Sequence, residues 1–400
     1  MDLELVKQLA IPASSKIVML VADGLGGLPR EADGRSELEV ARIPNLDALA
    51  ARSLCGMIEM VGPGITPGSG PGHLALFGYD PYLFQIGRGV LEACGIDLHV
   101  GPGDVAARGN FCTLDGEGRV ADRRAGRIST ETCRRLCDKL DQIRLEGVEL
   151  IVRPVKEHRL VVLFRGEGLS EALSDSDPLA PGQPPLHVRP IGPEAARTAA
   201  LVNRFLEQAR GVLKDDHPAN MILLRGFASP PDLPSFAEVF HLRTAAITCY
   251  PMYRGLAKLV GMDALPFCKD LDDQLKALSA NYDRYDFFFV HFKGTDRAGE
   301  DGDFDAKVAA LEELDQRIPA FLKLRPDVLI VTGDHSTPAV LKGHSWHPVP
   351  FLLSSRWCPP SGVGGFNERT CAVGPFGRMK AVDLMGLAMA NALRFKKFGA

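Results

Sequence analysis

The chain lacks an excess of either charge: 46 Lys and Arg stand against 50 Asp and Glu, for a formal net charge of −4. A nucleic-acid or membrane-surface protein would carry a basic excess on one face, so neither kind of partner is expected. No apolar run approaches the roughly 18 residues that a membrane-crossing helix needs. Runs such as Ile17–Ala22 and Phe287–Val290 have the length of buried strands. Met1-Asp2-Leu3-Glu4 holds two acids and no basic stretch ahead of an apolar one, so no secretory signal is expected there. The nine cysteines are irregularly spaced and include no Cys-x-x-Cys. Cys133 and Cys137 share an expected helix without a second ligand pair, so all nine read as reduced thiols of a cytoplasmic protein. There is no P-loop lysine pattern and no Gly-x-Gly-x-x-Gly after a strand, which leaves nucleotide cofactors without support. Internal repeats and low-complexity tracts are absent as well.

What is present is length and loops. Four hundred residues are too many for one ordinary core and about right for two domains. The 41 glycines and 29 prolines point to many tight loops, where enzymes usually keep their chemistry. Ile17–Ala22, Met221–Leu224, Phe287–Phe292, Val328–Thr332 and Val349–Leu353 read as buried strands, and Pro44–Ala50 and Ala306–Leu322 as helices. Strands spaced by helices predict a mostly parallel α/β sheet. Between about Gly101 and Pro218 the texture changes to basic clusters, a polar helix over Ser129–Leu145, an alternating strand at Leu160–Phe164 and a proline-rich loop over Asp175–Pro185. The expected architecture is an α/β core, residues 1–102 and 218–400, interrupted by an inserted, smaller α+β domain over 103–217.

The chemistry gathers after the core strands. Asp23 follows the first strand, Asp296 the strand ending at Phe292, and Asp334-His335 the strand ending at Thr332. His344 lies in the loop leading into Val349. Ligands of open parallel sheets bind beyond the carboxyl ends of the strands, so these side chains are expected to converge. One Asp after a strand is usually a helix cap or turn residue. Repetition strand after strand is not explained that way. An Asp and His set suits Zn²⁺ or Mn²⁺, and two such ions a few Å apart suit phosphoryl transfer.

Gly68-Ser69-Gly70-Pro71-Gly72-His73 precedes the apolar Leu74-Ala75-Leu76-Phe77. Flanking glycines expose the Ser69 hydroxyl, and a helix opening near His73 would aim its positive end at an anion. Ser69 as a nucleophile and Ser69 as a simple helix cap are equally compatible with the spacing. In the middle segment Arg119, Asp122-Arg123-Arg124-Ala125-Gly126-Arg127 and His158-Arg159 offer guanidinium forks for carboxylate or phosphate, or a solvated charged face.

These residues carry a resemblance. Gly64 to Ser69 with His73 to Pro81, Val21-Ala22-Asp23-Gly24, Phe292 to Asp296, Thr332 to Pro338, and His344 with Pro348-Val349-Pro350 are similar to the motifs of the archaeal-type cofactor-independent phosphoglycerate mutases of the alkaline phosphatase superfamily. The C-terminal stretch Leu384 to Ala400 is also similar, and nearly the whole length is covered. The resemblance implies an alkaline-phosphatase-like core, an isomerase interconverting 3-phosphoglycerate and 2-phosphoglycerate, and no requirement for 2,3-bisphosphoglycerate. It implies Ser69 as the residue that becomes phosphorylated, one metal on Asp23, Ser69, Asp334 and His335, and a second on Asp296, His344 and the residue four after Asp296. Where the family has His there, this chain has Glu300. Glutamate makes the site harder and more anionic, favouring Mn²⁺ or Mg²⁺ over Zn²⁺, with Co²⁺ also within the family's range. The change could instead weaken the second site.

On this reading glycerate must be retained while its other hydroxyl takes the phosphoryl group back from Ser69. The inserted domain is the expected lid, with Arg123, Arg124, Arg127 and Arg159 for the carboxylate and Asp122 as a base. Arg88 and Arg254, expected in loops of the metal-bearing domain, are further candidates. The alternatives are another metal-dependent phosphatase, phosphodiesterase or phosphomutase of the superfamily, or a substrate-binding relative disabled by Glu300. The substrate is a small molecule, and the sequence is silent on oligomeric state.

Overall fold

In chain order the strands of the computed structural model, which describes residues 2–399, are β1 (Ile17–Ala22), β2 (Leu54–Glu59), β3 (Val105–Leu114), β4 (Val120–Asp122), β5 (Glu149–Lys156), β6 (Arg159–Arg165) and β7 (Met221–Ala228). They continue with β8 (Thr244–Ile247), β9 (Asp263–Ala264), β10 (Phe287–Phe292), β11 (Val328–Thr332), β12 (Val349–Ser355) and β13 (Arg378–Lys380). The chain divides into two compact units, one made of Met1–Gln85 with Leu233–Ala400, the other of Ile86–Asp232.

The first unit is built on an eight-stranded sheet in the order β13-β2-β12-β11-β1-β10-β8-β9. Every residue of β1, β10 and β11 is buried, as continuous apolar strands covered on both faces must be. Fully burying each of Phe287, Phe288, Phe289 and Val290 contributes about 1.5–3 kcal/mol relative to exposure. Strands β10 and β11 flank β1 in parallel, while β12 runs antiparallel to both β11 and β2. The sheet is therefore mostly parallel, with one reversed strand.

The second unit carries an antiparallel sheet in the order β4-β3-β6-β5, with β7 on the other edge of β3. Its core joins Phe111, Phe164, Phe205 and Leu224 to the apolar faces of helices Thr130–Leu140 and Ala196–Leu213. The cuts fall at 85/86 and 232/233, outside the 102/103 and 217/218 expected from texture. The reason is packing: helix Arg88–Gly95 lies on β3, and Gly89 fits there because a Cβ would strike the backbone of Ala106.

Two elements differ from expectation. The helix expected to open near His73 opens at Ser69, because Gly68 is extended and Pro71 sits in the first turn, where no amide hydrogen is needed. The polar helix expected over 129–145 is Thr130–Leu140, with Ser129 as its N-cap accepting from the Thr132 amide. Among the described residues no helix is long and apolar enough to cross a membrane.

Candidate functional site

Strand register brings the chemistry to one edge of the first unit's sheet. Ala22 pairs with Phe292, and Val21 pairs with both His291 and Thr332, so three strands end level. Asp23, Lys293 and Gly333-Asp334 therefore leave the sheet side by side. Gly24 makes the first turn possible, holding φ +65°, a conformation side chains rarely adopt. Asp296 and Glu300 both lie on helix Gly294–Asp301, and His344 comes from the segment before β12. Helix Ser69–Leu76 closes against this edge: a Cβ at Gly72 would collide with the Asp334 carbonyl, so glycine permits the approach.

Ser69 Oγ lies 3.3 Å from His335 Nε2 and 3.4 Å from the Tyr253 hydroxyl. His73 Nδ1 is 2.8 Å from the Ser69 carbonyl and 3.2 Å from Asp334 Oδ2. Asp23 Oδ2 takes Lys293 Nζ at 3.0 Å and His291 Nε2 at 3.1 Å, and also accepts the Tyr253 hydroxyl. Thr337 Oγ1 donates to Asp296 Oδ1 at 2.7 Å and sits 2.9 Å from His335 Nδ1. The His335 and His344 rings stack at 3.6 Å.

Charges are strongly coupled at this edge. Burial opposes ionisation of Asp23, but Lys293, His291 and His335 outweigh it and hold its carboxyl well below the usual range. Burial likewise opposes the charge on His335, yet Asp334 and Asp23 push it up to about 10. Burial raises the Tyr253 hydroxyl well above its ordinary value, and Asp23 adds to it, so Tyr253 is a neutral hydrogen-bond donor.

The donor set fits divalent cations. Ligand atoms of Asp23, Asp334 and His335 lie within 4.8 Å of one another, and so do those of Asp296, His335 and His344. Asp23 Oδ1 and Asp334 Oδ2 are buried without a hydrogen bond. Their approaches are from the ring nitrogens of His335, at 3.3 and 3.2 Å, and of His73, at 3.2 Å from Asp334, so these buried, ionised oxygens keep lone pairs that a cation can take. Glu300 stands outside both groups: its side chain is 57% exposed, with Oε1 3.8 Å from His344 Nε2.

The other sequence candidates divide. Arg254 is on helix Pro251–Leu259 of the first unit, not in a loop, with its guanidinium over the Phe267 ring at 5.1 Å. Arg88 was expected in a loop of the metal-bearing domain; it is instead the first residue of helix Arg88–Gly95, in the second unit. Within that unit Asp122 accepts from the amides of Gly126 at 2.6 Å and Arg124 at 2.8 Å, and the Gly126 bond leads in holding its pKa below normal. Arg123 forks onto Asp177 at 2.9 and 2.6 Å, whereas Arg124 and Arg127 are exposed.

Several residues escaped the sequence reading. Lys293, His291, Tyr253 and Thr337 complete the first unit's cluster. In the second unit Arg108 pairs in register with Arg225 across β3 and β7. Burial, with Arg225, Arg88 and Arg159 adding like charge against Glu92, pushes Arg108 down to about 10. The Nε atoms of Arg108 and Arg225 are buried without a hydrogen bond. Such a concentration of guanidinium suits an anion. The available signal was an arginine in otherwise apolar strand sequence.

A family model described as 2,3-bisphosphoglycerate-independent phosphoglycerate mutase matches residues 50–220. A relative from Thermosipho melanesiensis is 48% identical over 99% of both chains. One from Thermus thermophilus is 49% identical over 100% of both. Each is named a probable 2,3-bisphosphoglycerate-independent phosphoglycerate mutase. Among solved structures, the cofactor-independent phosphoglycerate mutase of Thermoplasma acidophilum superposes with a TM-score of 0.71 at 30% identity, covering 94% of this chain and 100% of that one. A Pyrococcus horikoshii protein reaches 0.85 at 28%, covering 97% and 100%. Identity near one half along the entire length of both partners places the chain in the family of 2,3-bisphosphoglycerate-independent phosphoglycerate mutases, and the enzyme is an isomerase.

Proposed function

We propose that the enzyme interconverts 3-phosphoglycerate and 2-phosphoglycerate through a phosphoserine at Ser69. The observation that carries the reading is the position of Ser69 Oγ, 3.3 Å from the one imidazole that belongs to both candidate ligand groups. Asp23, Ser69, Asp334 and His335 would hold one divalent cation; Asp296, His344 and Glu300 would hold the other, with Mn²⁺ the best match to an oxygen-rich set. When bound, such ions lower the pKa of a hydroxyl and neutralise charge on transferring phosphoryl oxygens.

The residues of the chain do the rest. The first turn of helix Ser69–Leu76 presents backbone N–H groups and a positive dipole end to phosphoryl oxygens. In the first half-reaction the Ser69 Oγ–P bond forms as the P–O3 bond breaks; in the second the O2–P bond forms as Oγ–P breaks. Lys293 supplies fixed positive charge, and the Tyr253 hydroxyl, 3.4 Å from Oγ, is a donor that can turn to it from Asp23. Arg88, Arg123, Arg124, Arg127, Arg159 and Arg254 are proposed for the glycerate carboxylate, and Asp122 for the proton of the attacking hydroxyl. We place the reaction in the cytoplasm, where the nine free thiols would remain reduced.

The test is phosphopeptide mapping after brief incubation with 3-phosphoglycerate and Mn²⁺. Phosphate on Ser69, absent in Ser69→Ala, supports the reading. Full mutase activity in Ser69→Ala would sink it.

A further inference from the structure

A second cluster of charged side chains lies among the loops that carry the ligands, outside the groups assigned so far. Lys307, on helix Phe304–Lys323, is completely buried, and its nearest carboxylate oxygen, Glu37 Oε1, is 3.9 Å away. Its ammonium donates to two backbone carbonyls instead, Gly26 at 2.9 Å and Thr337 at 2.8 Å. Glu368 accepts from the Gly27 amide at 2.7 Å and from Ser36 Oγ at 2.6 Å. Glu37, also buried, accepts from the Ala339 amide at 2.8 Å.

The four backbone groups so held belong to two loops. Gly26 and Gly27 follow Asp23, while Thr337 and Ala339 follow Asp334-His335. The loops also touch directly, the Thr337 amide donating to the Gly26 carbonyl at 3.0 Å. Lys307 thus grips both residues of this backbone bond, beside which Ser336 bridges Leu25 and Gly26. Thr337 is the consequential partner, because its hydroxyl bonds Asp296 and contacts His335 Nδ1. A buried ammonium satisfied mainly by neutral carbonyls costs stability compared with an apolar side chain of similar volume. Its geometric effect is to fix the residue that orients one ligand unique to the second group and the ligand common to both.

We infer that Lys307 is a positioning residue for the two-cation centre, setting the orientation of Asp296 and His335 through the backbone of Thr337. The inference rests on the two-cation reading. Groups that orient metal ligands from behind typically cost 10–100-fold in affinity when removed.

The test is Mn²⁺ affinity by isothermal titration calorimetry on the full chain, for wild type, Lys307→Met and Lys307→Gln, at a temperature where each is folded by circular dichroism. Lys307→Met is expected to bind about 10–100-fold more weakly. Lys307→Gln, which keeps an N–H donor, should recover part of that loss. A role in stability alone would lower the melting temperature of the metal-free protein but leave the dissociation constant within twofold of wild type, and that result overturns the inference. Should Lys307→Met not fold, Lys307→Gln decides: several-fold weaker binding supports the role and unchanged binding refutes it. Wild type that binds no Mn²⁺ removes the two-cation reading and this inference together, whereas tight wild-type binding unchanged in the variants removes only the role of Lys307.

Discussion

The Tyr253 hydroxyl lies 3.4 Å from Ser69 Oγ while donating to the Asp23 carboxylate. A phenol has one proton, so Tyr253 stabilises charge developing on Oγ by turning that proton from Asp23 toward it. Tyr253→Phe should lower kcat by about 10–100-fold, somewhat less than loss of a donor aimed solely at the reacting atom. KM should change little. Steady-state kinetics check this, and an unchanged kcat would show that Tyr253 only fills space.

Glu300 is the departure from the family pattern that the structure leaves exposed beside His344. Glu300→His would place an imidazole where a carboxylate now stands. The activity profile is expected to shift from Mn²⁺ toward Zn²⁺ and Co²⁺, since nitrogen ligands suit the later metals. Activity titrations with each ion measure the shift; an unchanged profile means Glu300 is no ligand.

Arg123, proposed above for the glycerate carboxylate, also forks onto Asp177, whose side chain is 1% exposed. Arg123→Ala would strand that carboxylate and should cost about 3 kcal/mol of stability, the lower end for breaking a buried pair. The exposed Arg124→Ala and Arg127→Ala should melt like wild type. Urea unfolding distinguishes them, and an equally stable Arg123→Ala would refute the pairing.

The same pair sets a pH dependence. Burial raises the Asp177 pKa, but Arg123 outweighs it, leaving the folded value below normal. Depressed in the folded state, the group binds protons more readily when unfolded. Its contribution is complete above the unfolded value of about 3.9 and fades as pH falls through the folded one. Asp177→Asn should therefore destabilise at pH 7 and lose less stability than wild type between about pH 5 and pH 3. Parallel acid limbs for the two proteins would contradict this.

Much of the first unit was legible because its strands are buried on both faces. Continuous apolar runs mark β1, β10 and β11, and the polar residues directly after them are the ones register brings together. Tyr253 was not legible, since it arrives from a helix distant in sequence, on a face that nothing in the local pattern singles out. Lys293 follows β10 directly, but a lysine at a strand end reads as solvated until its carboxylate partners are placed. Arg88 went to the wrong unit because texture changes at Gly101, whereas packing of helix Arg88–Gly95 on β3 decides membership. Arg108 and Arg225 lie inside strands, where only the pairing of β3 with β7 makes them neighbours.

The most direct test is the mutase assay with Mn²⁺ and no added 2,3-bisphosphoglycerate. Conversion of 3-phosphoglycerate to 2-phosphoglycerate is predicted, abolished by a chelator and restored by Mn²⁺. Strict dependence on 2,3-bisphosphoglycerate, or release of free phosphate without isomerisation, would contradict it.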